Sequence, residues 1–404
     1  MTSLDTSARG GAPSRAKPPI GKLLAFTTAG FLAIVTETMP AGLLPKIAAG
    51  LHISESRAGQ LVTLYALGSV AAAIPVITAT RGLRRRPLLL AAVAGLLVFN
   101  TVTALSSSYS LTLAARFAAG MSAGVIWGLL AGYARRLVPE HIQGRALAVV
   151  GVGQPIALTL GVPLGTWLGS LLDWRAAFWI MSALAAALLV WIRALVPDLP
   201  GQAADARRPL RQVFAIPGVR PVLAVVLGWI LAHNVLYTYV APFLTHSGLE
   251  QRTDVVLLIF GAAAIAGIWI TGTLVDRRLR TTTLVSLAVF AAATTVLATA
   301  GGSPAFVVAG TVAWGLAFGG APTLLQTAIA DAAGNEADVA QSMLVTVFNL
   351  AVAGGGLLGG FLLNAIGSRS LPAAAAVTAL IALAAAAAAA AHGFRPGSRG
   401  GTAE

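Results

Sequence analysis

The sequence predicts an all-α integral membrane protein, a bundle of twelve transmembrane helices in two six-helix halves. Three observations carry that reading. First, 57% of the 404 residues are hydrophobic and only 10% charged, with a mean hydropathy of +0.83, whereas soluble domains carry about 25% charged residues. Second, the apolar residues fall in near-continuous runs of helical length, each enough to cross ~30 Å of hydrocarbon, rather than in the short alternating strands of a membrane barrel. Third, the chain divides into about twelve such runs, with short loops and no room for a separate soluble domain.

The expected spans are 22–44, 59–80, 87–108, 111–133, 146–169, 175–196, 219–244, 254–275, 282–300, 304–330, 338–364 and 371–392. The first run is too long for the apolar core of a signal peptide and lacks a small-residue cleavage site, so it is expected to be retained. With the N-terminus inside, 21 of the 27 lysines and arginines fall in inner segments, five in outer ones, and Arg116 lies within a helix. The positive-inside rule then places both termini in the cytoplasm of a multi-pass cell-membrane protein. The net charge of +13 is thus a topology signal, not a nucleic-acid footprint. Zero cysteines exclude disulfides and thiolate-ligated metals.

The longest polar stretch, PDLPGQAADARRPLRQVFAI, marks a cytoplasmic linker at 197–216 between a first half, 22–196, and a second half, 217–392. Short cytoplasmic tails, 1–21 and 393–404, flank them. A shift of about 194 residues brings Leu164 onto Leu358, Gly165 onto Gly359 and Arg175 onto Arg369. Such weak internal repeats recur in secondary transporters, whose substrates bind between the halves near the mid-membrane. The Ala-rich last span is low-complexity and reads as lipid-facing or peripheral.

Several stretches are similar to motifs of the major facilitator superfamily, and within it to those of the twelve-helix drug:proton antiporters. They are ETMPAGLLPKIAAGLHIS from Glu37 to Ser54, RFAAGMSAG from Arg116, GQPIALTLGVPLG from Gly153 to Gly165, and WRAAF from Trp174 to Phe178. The resemblance spans nearly the whole chain and implies alternating access between two halves, with a monomer as the default. One departure stands out. The loop after the second helix, TATRGLRRRP, lacks the acid of the family's G-x-x-x-D-R-x-G-R-R pattern, whereas the second-half counterpart GTLVDRRLR keeps Asp276, beside Arg277. In the family this acid helps latch the cytoplasmic side, so the first-half latch is in doubt; some exporter subgroups that the chain resembles lack it.

Glu37 is the first candidate for proton coupling. A charged carboxylate inside a membrane helix is costly, which suits a group that takes up and releases a proton; the alternative is a Glu that bonds a neighbouring helix. Arg116 is the second. Its guanidinium stays charged, and the resemblance places it near the first-half cavity, while the alternative is a side chain snorkelling to the outer interface. Gly153, Gly161 and Gly165, with Pro155 and Pro163, read as a close-packing and gating stripe in the fifth helix. Gly355 and Gly359, in a run with Gly354, Gly356 and Gly360, are its second-half counterpart.

Substrate-cavity candidates are Tyr65, Asn100, Trp127, Gln154, His233, Asn234, Tyr237, Gln326 and Asn349, with Phe348 as further aromatic surface; each has the alternative of interhelical bonding or a lipid-facing ring. His233 is either a structural hydrogen-bonding group or a secondary proton site. No phosphate-binding G-x-x-x-x-G-K-[ST] loop and no metal or hydrolytic cluster occurs in the sequence, so the expected protein is not an enzyme, needs no cofactor and works on a gradient. The expected function is export of a small amphipathic or aromatic compound, a drug or natural product, in exchange for protons. The expected partners are therefore that small-molecule substrate, protons and the lipid bilayer, with no nucleic acid. Export of a specific sugar, amino acid or nucleoside, and facilitated transport without protons, are the alternatives; a membrane receptor or enzyme fits less well.

Overall fold

The computed structural model describes residues 19–73, 79–80, 82–139, 142–201 and 210–395. Among them every regular element is helical. The first half contains α1 (Ile20–Thr38), α2 (Glu55–Ala73), α3 (Arg85–Leu105), α4 (Tyr109–Arg136), α5 (143–171) and α6 (Trp174–Leu195). The second contains α7 (Val219–Tyr237), α8 (Thr253–Ala300), α9 (Pro304–Gly319), α10 (Ala321–Ala333), α11 (Ala337–Ala365) and α12 (Ser370–Ala388).

Ten helical stretches among the described residues are long and apolar enough to cross a membrane, and one of them, Glu250–Ala300, is long enough for two spans. The expected eighth and ninth spans are the two helical arms of α8, which meet in a kink at Arg278, the residue within it with non-helical angles (φ −143°, ψ 44°). The expected tenth span is split between α9 and α10 at Gly320. The described part of the second span, α2, is a further helix outside the ten. Residues 74–78, in the expected second span, lie outside the described residues.

Two of the long helices break inside the bundle. Proline at 40 has no N–H to offer the carbonyl four residues back, and α1 gives way to a 3₁₀ turn, Met39–Leu43, before resuming as Leu44–Leu51. In the second half α7 stops at Tyr237, and a short helix, Val240–Leu244, follows the turn at Thr238 and Tyr239. Within α5, a π-helical turn, Ala157–Gly161, sits between Pro155 and Pro163. Discontinuous membrane helices of this kind expose backbone polar groups where a binding site needs them.

Glycine sets the helix pairing. A Cβ at Gly153 would overlap the Thr27 carbonyl oxygen, one at Gly161 would sit 2.5 Å from Val35, and one at Gly165 3.0 Å from Met39, so α5 packs on α1. A Cβ at Gly355 would lie 2.6 Å from Asn234 and one at Gly359 2.7 Å from the Tyr239 ring, so α11 packs on α7 and its extension. In the same way Gly120 and Gly124 bring α4 onto the backbone of α2, and Gly315 and Gly319 bring α9 onto α8. The same pairings thus recur in both halves, as the repeat in the sequence implies. The Ala-rich α12 is not merely peripheral. Leu371, Ala375, Ala379, Ala382 and Ala386 form a buried stripe along it, and Gly228 of α7 approaches Ala382 to within 3.0 Å of a built Cβ.

The arginine-rich loops grip the last helix of their own half. Arg84 Nε donates to the Asp198 carboxylate at 2.5 Å, Arg85 N–H to the Leu199 carbonyl at 2.9 Å and Arg136 to the Pro200 carbonyl at 2.9 Å, holding the chain just past α6. In the second half Arg280 donates to the carbonyls of Ala386 (3.2 Å), Ala387 (2.8 Å) and Phe394 (3.0 Å) at the end of α12. Cations suit these helix ends, where carbonyls lack helical partners.

Candidate functional site

In the first half, Glu37 stands one residue before the end of α1, and Arg116 faces it from α4. Arg116 is completely buried and Glu37 nearly so, at 7% exposure. The snorkelling alternative for Arg116 is thereby removed. Its Nε donates to the Leu61 carbonyl of α2 at 3.2 Å, and Nη2 donates to the backbone carbonyl of Glu37 at 3.4 Å. The guanidinium therefore reaches Glu37 through the main chain, not through its carboxylate. The Tyr65 ring lies 4.6 Å from the guanidinium carbon and the Phe178 ring 5.7 Å away, an arrangement that stabilises a desolvated cation. Nη1 is buried and has no hydrogen-bond partner.

Beside this pair, Asn100 Nδ2 donates to Thr36 Oγ1 at 3.2 Å, and Thr36 Oγ1 donates to Met181 Sδ at 3.4 Å. Asn100 Oδ1 is buried with no partner. Tyr65 donates its hydroxyl to the Ala33 carbonyl at 2.8 Å. Helices α1, α2, α3, α4 and α6 thus converge on one polar centre around the end of α1, and it holds Glu37, Tyr65, Asn100 and Arg116 of the sequence candidates.

A second centre forms around His233 of α7. Its ring stacks on Phe318 (centroids 3.6 Å, interplanar 4°) and on Tyr237 (4.9 Å, 27°). Trp314 Nε1–H donates to His233 Nδ1 at 3.0 Å. Phe260 joins the group, 4.8 Å from Trp314 and 5.5 Å from Tyr237, and Trp229 meets Phe318 edge-on at 6.4 Å. Asn234, the next residue, turns back to the Ile230 carbonyl of its own helix at 2.9 Å.

The remaining candidates are more dispersed. Gln154 is half-buried in the first turns of α5, and Trp127 of α4 packs against α1, 3.4 Å from a Cβ built at Gly30. Asn349 donates to the Val345 carbonyl of its own helix at 2.9 Å. Gln326 is exposed and contributes its backbone carbonyl to Gln341 Nε2 at 2.7 Å. Asp276 and Arg277 are exposed on the turn just before the break at Arg278. Among the described residues no three metal-ligating side chains come together.

The two halves meet along two seams. Ser56 Oγ donates to the Gly360 carbonyl at 2.8 Å, Tyr239 donates its hydroxyl to the Gly356 carbonyl at 2.8 Å, and Gln60 Nε2 reaches both Tyr239 Oη and the Gly356 carbonyl at 3.4 Å. That seam joins α2 to α7 and α11. In the other, Thr159 of α5 donates to the Gly261 carbonyl of α8 at 3.0 Å. The first seam lies toward the end of the bundle opposite the Arg84 and Arg280 loops, and the second at the π-helical turn in the middle of α5. The first seam is tight because of glycine: a Cβ at Gly59 would overlap Tyr239, and one at Gly356 would overlap Thr63.

The comparisons with known proteins agree with this architecture. The family model described as Major Facilitator Superfamily matches residues 26–344, most of the chain. The chain belongs to the major facilitator superfamily. A relative from Pseudomonas aeruginosa, "Transcription regulatory protein OpdE", is 32% identical over 363 residues, covering 88% of this chain and 90% of the relative. Two solved transporters share the fold at a TM-score of 0.67. The human organic anion transporter MFSD10 is 19% identical, over 92% of this chain and all of that one. A bacterial homologue of the human lysosomal transporter Spinster, in an inward-facing and unoccupied conformation, is 15% identical, over 93% and 98%.

As a member of this superfamily the chain is a multi-pass membrane protein and a secondary transporter, a class whose members bind small molecules within the membrane. Three groups of residues in these contacts are not among the sequence candidates. Ser56 and Gln60 stand at the start of α2, where nothing local in the sequence marks them as partners of the second half. Trp314 and Phe318 sat in an apolar Gly-rich run with no polar marker. Asp198 was taken as linker composition, although it is the acid nearest in sequence after α6.

Proposed function

We propose that this chain is a proton-coupled exporter of a small amphipathic or aromatic compound, working by alternating access in the cell membrane with both termini in the cytoplasm. The observation that carries it is the buried Glu37–Arg116 centre at the break in α1. In the proposed cycle Glu37 takes a proton from outside and gives it up inside as cargo binds, and Arg116 steadies whichever charge state results. A ligand drives such a cycle only by binding the two conformations unequally. Support for a rocking motion comes from the first seam, whose hydrogen bonds among the described residues tie the halves together near one end of the bundle. The halves 22–196 and 217–392, joined by the linker 197–216, are the proposed rigid units, and a monomer is the proposed working form.

The test uses purified protein in liposomes with an imposed pH gradient and an internal pH dye. A panel of aromatic antibiotics, sugars and nucleosides is added in turn. An aromatic compound that dissipates the gradient supports the proposal. Dissipation only by a sugar or nucleoside moves the cargo class, and transport with no proton movement turns the reading to a facilitator.

The relative named as a transcription regulatory protein suggests a second reading. A carrier alters transcription indirectly when its cargo is an effector. That role predicts a changed reporter signal in cells lacking the protein and no retention of DNA by the purified chain.

A further inference from the structure

We propose that the aromatic centre of the second half recognises its ligand through hydrogen-bond acceptors, carbonyl or carboxylate oxygens on a planar body, and discriminates against organic cations. The inference rests on the transport reading only in placing this centre on the cargo path. Two polar groups of the centre have a donor hydrogen with no partner, one of them donor-only, the other a hydroxyl that also accepts. Trp314 Nε1–H occupies His233 Nδ1; a neutral imidazole has one donor and one acceptor nitrogen, so the proton of His233 is on Nε2 and its acceptor is spent. The Tyr237 hydroxyl and Trp229 Nε1 are buried, at 2% and 0% exposure of their residues, and neither has a hydrogen-bond partner. Indole N–H is only ever a donor. Buried donors without partners are costly, and a ligand oxygen relieves that cost.

A cation finds the opposite conditions. The ring faces that would attract it are taken up by one another: His233 against Phe318 and Tyr237, Phe260 against Trp314. The acidic residues of the second half, Glu250, Asp254, Asp276, Asp331, Glu336 and Asp338, all lie at helix ends or in turns, away from the middle of α7. An ammonium group entering the centre would lose its water without gaining a carboxylate.

Four naphthalene probes of matched body separate the possibilities: 2-acetylnaphthalene, 2-naphthoate, 2-(aminomethyl)naphthalene and naphthalene itself. Binding to the detergent-purified full-length protein is measured by titration calorimetry, without any proton gradient, so failure of proton coupling leaves this test intact. The ketone and the carboxylate are expected to bind about tenfold more tightly than the ammonium compound. Tyr237→Phe, which keeps the ring stacked on His233, and Trp229→Phe, which keeps an aromatic ring opposite Phe318, are expected to weaken the ketone about fivefold while leaving naphthalene unchanged, one lost hydrogen bond in each case. Equal or tighter binding of the ammonium probe overturns the proposal, as does no binding of either acceptor-bearing probe. Unchanged ketone affinity in both variants overturns it too, and leaves ordered water as what those donors bind. Thermal unfolding of the variants, unchanged from the parent, confirms that the fold is intact.

Discussion

Asp198 accepts from Arg84 Nε at 2.5 Å and from the Arg86 backbone N–H at 3.2 Å, and so supplies, from beyond α6, the acid that the loop sequence TATRGLRRRP lacks. The pair ties α3 to the end of α6 in the same half, not to the opposite half. With Arg280 on the carbonyls of α12, each basic loop serves as a clasp on its own six-helix unit, keeping it rigid.

Partial desolvation would raise the Asp198 carboxyl, but the Arg86 N–H and the Arg84 guanidinium outweigh it and hold the group below its usual value of 3.8. A depressed folded value means that the clasp stabilises fully above the usual aspartate range and is lost as pH falls through the folded value. Melting curves of the wild type are therefore expected to drop in acid below that range by more than those of Asp198→Asn. The variant should melt slightly lower at pH 7 and transport normally. Loss of transport in a well-folded Asp198→Asn would make the clasp part of the gate.

Bulk at the glycine seam should hold the halves apart. In the naturally Cys-free chain a single Thr63→Cys reports on that seam by maleimide labelling. Adding Gly360→Val, whose side chain would meet Tyr239 Oη 2.6 Å and Gln60 Nε2 2.8 Å from its Cβ position, is expected to speed labelling about tenfold, a shift of about 1.4 kcal/mol in the open–closed balance. Equal labelling rates would mean that this seam does not govern access.

Replacing Arg116 by Ala removes the donors to the Leu61 and Glu37 carbonyls and leaves a void between Tyr65 and Phe178. The expected cost is about 3 kcal/mol of stability, read as a lower midpoint in thermal melts. Arg116→Lys restores the charge but not the planar fork, and should recover part of the stability and little of the transport. Full stability in Arg116→Ala would show that these bonds contribute nothing to the native bundle.

Much of this was legible in the sequence because membrane helices announce themselves by length and apolarity, and small-residue stripes by spacing. Gly161 and Gly165 lie against α1, and Gly355 and Gly359 against α7 and its extension. Glu37 and Arg116 were visible as charges where charges are costly, although the bond from Arg116 to the Glu37 main chain was not. What stayed hidden depends on partners far apart in the chain. Trp314 meets His233 across 81 residues, and Gln60 meets Tyr239 across 179; no local pattern encodes either. The kink at Arg278 carries no proline or glycine, yet the sequence divides α8 there, because the charged run DRRLR interrupts the apolar pattern between the two expected spans.

The most direct measurement is substrate-evoked proton flux through Glu37→Gln against the parent protein, in liposomes carrying equal amounts of each. Proton coupling through Glu37 predicts that cargo still binds and exchanges down its own gradient in the variant, while proton movement and uphill transport are abolished. Full proton-driven transport by Glu37→Gln would contradict it.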